Sequence, residues 1–221
     1  MNAYQTLSKR ASDEIVIQKS RFIGYAAPCD TEEEALAFLN SIRQSHHDAR
    51  HACYAYVIGS NEGIMRYSDD GEPGGTAGLP IMSVLRGRHL VNCIVVVVRY
   101  FGGILLGTGG LVRAYSECCK KAVQCAGISR MEWTCQDLCE VPYSCWDSLQ
   151  HCMKTLPVRM AEARFETSVV FSLLVRKQDH DKTIDVLQRV TNRQLVWLPE
   201  SEYFAGWPVS EEESLQSPEI T

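Results

Sequence analysis

DDGEPGGTAGLP (69–80) and VVVVRYFGGILLGTGGLVRAY (95–115) decide the fold; together they hold nine of the fifteen glycines in the chain around one apolar run. Glycine loses more conformational freedom on folding than any other residue, so this density marks places where the backbone must turn tightly or approach something closely. The run Cys93–Val98 shows no polar alternation and predicts a strand buried on both faces at the centre of a sheet. Gly102-Gly103 end that strand. Thr108 stands where a cap belongs, ahead of a helix whose residues Leu111, Val112, Tyr115, Cys118, Cys119, Ala122 and Val123 line one stripe up to Gly127. On the other side, Pro80 suits the first position of a short helix ending near Arg86-Gly87.

Working outward, EIVIQKSRFIGYAA (14–27) has strand-type enrichment. Thr31-Glu32-Glu33-Glu34 forms a capping box before apolar Ala35, Leu36, Phe38, Leu39 and Ile42 at helical spacing. A strand over Ala52–Ile58 pairs through a turn at 59–63 with Ile64–Tyr67. These elements make an α+β domain over 1–130. After a short link the pattern restarts in the order β-α-β-β-α-β, the split βαβ, ferredoxin-like arrangement, which defines a second domain over 131–205. Residues 206–221, with Glu211-Glu212-Glu213 and two prolines, have too little apolar content to fold and read as an acidic, disordered tail.

The formal charge of −5 speaks against wholesale wrapping by nucleic acid and gives no reason to expect DNA specificity. Its distribution is uneven: residues 1–130 carry 14 basic and 12 acidic side chains, residues 131–221 carry 8 and 15. A polyanion would prefer the first part. The N-terminus lacks a signal-peptide pattern and the ten cysteines fall within apolar periodic segments, so the expectation is a reduced, cytoplasmic protein. The longest apolar stretch is too short to span a bilayer, and no membrane partner is expected.

Chemistry-bearing residues gather at the glycine-rich stretches. Gly102, Gly103, Gly107, Thr108, Gly109 and Gly110 lead into a helix start, where unpaired amides and the positive dipole end suit an anion, with Arg99 and Arg113 able to add charge-assisted bonds. Thr108 stands where a P-loop would place lysine, and Val112 where a dinucleotide fingerprint would place its third glycine, so neither motif is met. Helix–strand packing is the competing account of these glycines. Asp69, Asp70 and Glu72 could serve a cation, a general base, a tight turn or a partner. His51 could join that acidic group, whereas His46, His47 and His51 straddle a helix end and a strand start, where hydrogen-bonded histidines are the ordinary outcome. The cysteine spacings build no zinc knuckle. No cofactor and no metal is expected.

YSDDGEPGGTAGLPIMSVL followed by VVVVRYFGGILLGTGGLVRAY, with SRFIGYA and ARHACYAY upstream, strongly resembles the IMPACT/YigZ family over residues 15–127. The resemblance implies an N-terminal domain similar to the second domain of ribosomal protein S5 and to a late domain of elongation factor G, and a C-terminal domain like the last domain of that factor. It also implies a role near translation, since eukaryotic relatives bind proteins to restrain the starvation-response kinase acting on initiation. The sequence shows no RWD module ahead of these motifs, so the resemblance alone does not imply that particular partner. Three readings stand: a non-catalytic protein that engages RNA, the ribosome or a translation-associated protein through the glycine-rich, arginine-flanked surface; a metal-assisted hydrolase of a phosphorylated small molecule or nucleotide using Asp69, Asp70 or Glu72; or an interaction scaffold whose contacts are made by the sheet of the C-terminal domain.

Overall fold

The computed structural model describes residues 2–60 and 63–209, and the elements it contains are mixed α and β. They separate into two compact units, one built from the chain up to Met131 and again from Gly206, the other from Glu132–Ala205. Among the described residues no helix is long and apolar enough to cross a membrane.

The first unit is organised by an antiparallel sheet. Its strands, after an initial β1 (Tyr4–Leu7), are β2 (Ala11–Ile17), β3 (Ser20–Pro28), β4 (His51–Ile58), β5 (Ile64–Ser68) and β6 (Cys93–Tyr100), in the spatial order β2-β3-β6-β4-β5. The unalternating run is thus the middle strand, with Arg21↔Tyr100 and Pro28↔Cys93 on one side and His51↔Arg99 and Val57↔Cys93 on the other. Its even-numbered residues Ile94, Val96 and Val98 pack with α1 (Glu32–Ser45), while Cys93, Val95 and Val97 pack with α2 (Gly78–Gly87) and α3 (Gly107–Ala126). Thr31 caps α1, its Oγ1 accepting the Glu34 N–H at 3.2 Å, while the Glu34 side chain reaches one residue further back than a capping box requires and accepts the Asp30 N–H at 2.8 Å.

Two elements depart from expectation. The segment 14–27 is a hairpin, turning through Gln18 and Lys19 with φ of 44° and 64°. Neither residue is a turn former, so composition does not signal the reversal. Pro80 is the third residue of α2, because the first turn is held from outside by Asp69.

The second unit contains most of β7 (Ile128–Val141), then α4 (Tyr143–Met153), β8 (Val158–Phe165), β9 (Val169–Arg176), α5 (His180–Val190) and most of β10 (Val196–Pro208). β7 lies beside β9 and β10, and β8 completes the sheet beyond β9. Alternate residues Val169, Phe171, Leu173 and Val175 of β9 face the helices with Trp146, Leu149, Ile184 and Leu187. Gly206, Trp207 and Pro208, assigned by composition to a tail, instead continue β10: Trp207 is buried and the Val209 N–H donates to the Ile128 carbonyl at 3.1 Å. One aromatic side chain outweighs the polar average of the segment. The acidic triplet 211–213 lies outside the described residues.

Buried Asp137 of β7 accepts from His180 Nε2 at 2.6 Å, with Asp181 Oδ1 3.3 Å from the other ring nitrogen. Burial opposes charge on His180, but the two carboxylates prevail and raise its pKa above 6.5. A raised histidine stabilises fully below its unfolded pKa of about 6.5 and ceases to do so as pH rises through the folded value. Urea unfolding of the wild type is therefore expected to show stability falling as pH rises above about 6.5, and His180→Gln to remove that slope at a cost of about 1.5–3 kcal/mol.

Candidate functional site

The two glycine-rich stretches meet at the β6 end of the sheet through residues that sequence reading assigned to chemistry. Arg99 continues the odd-numbered face of β6 and therefore points under α3, its side chain 7% exposed and that of Glu72 4%. Arg99 Nη1 donates to Glu72 Oε1 at 2.7 Å, and the Tyr115 hydroxyl donates to the same oxygen at 2.8 Å. The guanidinium also lies over the rings of Phe22 and Phe101, at 5.4 and 5.5 Å from their centroids. The expectation of Arg99 as an outward anion ligand is corrected here: a cation on the inward face of a central strand needs a buried carboxylate, and Glu72 supplies it. Its Nε, buried, has no hydrogen-bond partner among the described residues.

The other acidic residues are equally committed. Asp69 accepts N–H groups from Gly75, Ala77 and Gly78 at 2.8, 2.9 and 2.8 Å, pinning the loop and the first turn of α2. Burial works against its charge, yet those amides hold its carboxyl below the ordinary range. Asp70 accepts the Ala52 N–H at 2.7 Å and pairs with Arg43 at 2.9 Å. His51 Nδ1 lies 2.9 Å from the Asp70 carbonyl oxygen, placing His51 beside the loop as a brace. Cys53 Sγ sits 2.9 Å from the Asp69 carbonyl and 3.4 Å from the Tyr115 hydroxyl; burial pushes its thiol up to about 12, far from a thiolate nucleophile. Burial likewise raises Tyr115 well above its ordinary value. Among the described residues no three His, Cys, Asp or Glu side chains converge as a metal centre requires.

The glycines divide by role. A Cβ on Gly102 would stand 2.0 Å from the Lys19 backbone, so packing against the β2–β3 turn excludes any side chain there. Gly103 and Gly107 have φ of 84° and 70°, and Gly110 approaches Leu106. Gly109 is different: it is exposed in the first turn of α3, with helical backbone and open space where a Cβ would stand. Thr108, also exposed, does not cap the helix; α3 starts one residue earlier, with Leu106 at the cap position and no side-chain bond to the first amides. Arg113 is exposed on the same helix.

Sequence reading missed what surrounds that helix start. Leu105 is 85% exposed, Phe101 51%, and Ile104 is exposed with them. The signal was ILL between two glycine pairs, three apolar residues in a turn too short to bury them. The arrangement is a loop whose polar groups are spent inward and whose outward face is apolar side chain and bare amide.

A family profile described as the Impact N-terminal domain matches residues 18–123. The IMPACT family member YvyE of Bacillus subtilis is 34% identical over 192 residues, covering 87% of this chain and 88% of that protein. The IMPACT family member YigZ of Escherichia coli is 54% identical over 101 residues, covering 45% of this chain and 50% of that protein. A crystal structure described only as that of a hypothetical protein superposes with a TM-score of 0.58 at 30% identity, covering 91% of this chain and 98% of its own.

The buried pair makes a direct prediction. Arg99→Met strands the Glu72 charge and is expected to cost about 3–5 kcal/mol, whereas adding Glu72→Gln recovers much of that loss. Urea unfolding of the two single variants and the double variant measures the coupling. A double variant no more stable than Arg99→Met would mean that the guanidinium acts through Phe22 and Phe101 instead.

Proposed function

The chain belongs to the IMPACT family, and on that premise we propose that it is a non-catalytic binding protein related to translation regulation, engaging a translation-associated protein through residues 101–113. One observation carries the reading: at this site the carboxylates, the thiol and Arg99 are consumed in holding the two loops, while Phe101, Ile104 and Leu105 face solvent beside an uncapped helix start. Exposed apolar side chains rimmed by unpaired amides suit a protein surface. The motif resemblance supplies the link to translation. The β-α-β-β-α-β order of the second unit supports its reading as ferredoxin-like, and the motifs of the first support its likeness to the second domain of ribosomal protein S5.

A second reading, contact with RNA or the ribosome at the same place, is favoured by exposed Arg113 next to the free amides of α3. The hydrolase reading needs Asp69, Asp70 and Glu72 across an open cleft; each is instead bonded to the chain that surrounds it.

Gly109 provides the test. Alanine there gains helix propensity and meets no atom, so Gly109→Ala is expected to raise stability by about 0.5–1 kcal/mol if folding alone is at stake. If a partner approaches that backbone, the same variant loses binding. Sedimentation of lysate with ribosomal fractions, and capture on immobilised protein, should weaken for Gly109→Ala and for Leu105→Ser while both remain folded. Retention indifferent to salt and nuclease supports the protein partner; retention abolished by either supports RNA. Unchanged capture by both variants would overturn the assignment of this surface.

A further inference from the structure

α2 and α3 enclose a solvent-open groove of about 500 Å³ that none of the readings above uses. Buried Pro80 and Val84 line it together with Ser83, Gly87, Arg88, Ser116 and Lys120, and no carboxylate is among the lining residues. Arg88 follows the end of α2, whereas Ser116 and Lys120 are one turn apart on α3. The two cations thus come from different elements. Neither has a carboxylate partner among the described residues, in contrast to Arg21, Arg43 and Arg99 of the same unit. The Ser83 hydroxyl is spent on the Leu79 carbonyl at 2.9 Å, while that of Ser116 has no hydrogen bond among the described residues.

We propose that this groove binds the phosphodiester backbone of a single-stranded nucleic acid. Two cations without a carboxylate partner and a hydroxyl donor meet successive phosphates, and Pro80 and Val84 offer apolar contact to the sugars between them. The groove lies in the part of the chain where basic side chains outnumber acidic ones. Its contacts read charge, not sequence, so affinity follows ionic strength. It shares no lining residue with the 101–113 surface and stands without it.

The test is fluorescence anisotropy of labelled U12 and dT12 oligonucleotides over a salt series, using the full chain. Wild type should bind with affinity falling as salt rises. Arg88→Gln with Lys120→Gln should weaken binding about tenfold at low salt and flatten the log–log salt slope by about 1.4, the share of two phosphate contacts on a single strand. A charge-matched control, Lys9→Gln with Arg10→Gln, removes the same charge outside the groove and should leave the slope unchanged. Equal effects from both pairs would show that net charge drives binding and would sink the groove; so would absence of binding, or a slope unmoved by the groove variants. Tighter binding of U12 than of dT12 would identify RNA through its 2′-hydroxyls, and equal binding a general single-strand site. Failure here leaves the Gly109 and Leu105 outcomes untouched, because those variants alter no groove residue.

Discussion

A carboxylate taken out of water at the end of a sheet must find a cation and a donor, and Glu72 finds both on one oxygen. Those two bonds tie three elements that lie far apart in sequence: the loop after β5, the end of strand β6 and the middle of α3. Asp69 then fixes the rest of the loop through three amides, and Asp70 fastens it to β4 and to α1 through Ala52 and Arg43. A segment that composition makes look mobile is instead a rigid frame. Its rigidity is what leaves the neighbouring turn free to present apolar side chains without collapsing onto them.

The central strand explains why this frame sits where it does. β6 is covered on both faces, so a charged residue in it either lies at an end or carries a partner, and Arg99 does both. Tyr100, one residue on, faces the opposite side, where its hydroxyl meets His46 at 2.8 Å and Asp48 at 2.9 Å. Arg99, Tyr100 and Phe101, adjacent in sequence, are thus divided by the pleat, with Tyr100 on the face away from the other two. Strand alternation, not adjacency, decides which side chains can act together.

Much of the fold was legible in the chain itself. The β6 run, the Thr31 cap, the α3 stripe ending at Gly127 apart from exposed Val112, and the βαββαβ order of the second unit follow from periodicity and turn chemistry. The Gln18-Lys19 reversal did not announce itself, because residues other than glycine or asparagine occupy its left-handed positions. Burial of Trp207 was masked by its polar surroundings. At the site, the residue types were legible and their directions were not: extending the Val95, Val97 face by one step would have placed Arg99 inward, and the nearest carboxylates before it in the chain were those of 69–72. What no periodicity could show is which of three carboxylates it would choose, since that depends on a loop closed by tertiary bonds.

The bond from Val209 to Ile128, with Trp207 buried in the same unit, has a bearing on biosynthesis. The first unit is a discontinuous body whose closing strand emerges from the translating machinery only after the intervening 74 residues of Glu132–Ala205 have been made. Vectorial folding, N-terminal part first, cannot complete it. Its sheet can assemble early, yet the last seam waits for nearly the whole polypeptide, so a nascent chain stalled midway carries a partly finished body that only resumed elongation can seal.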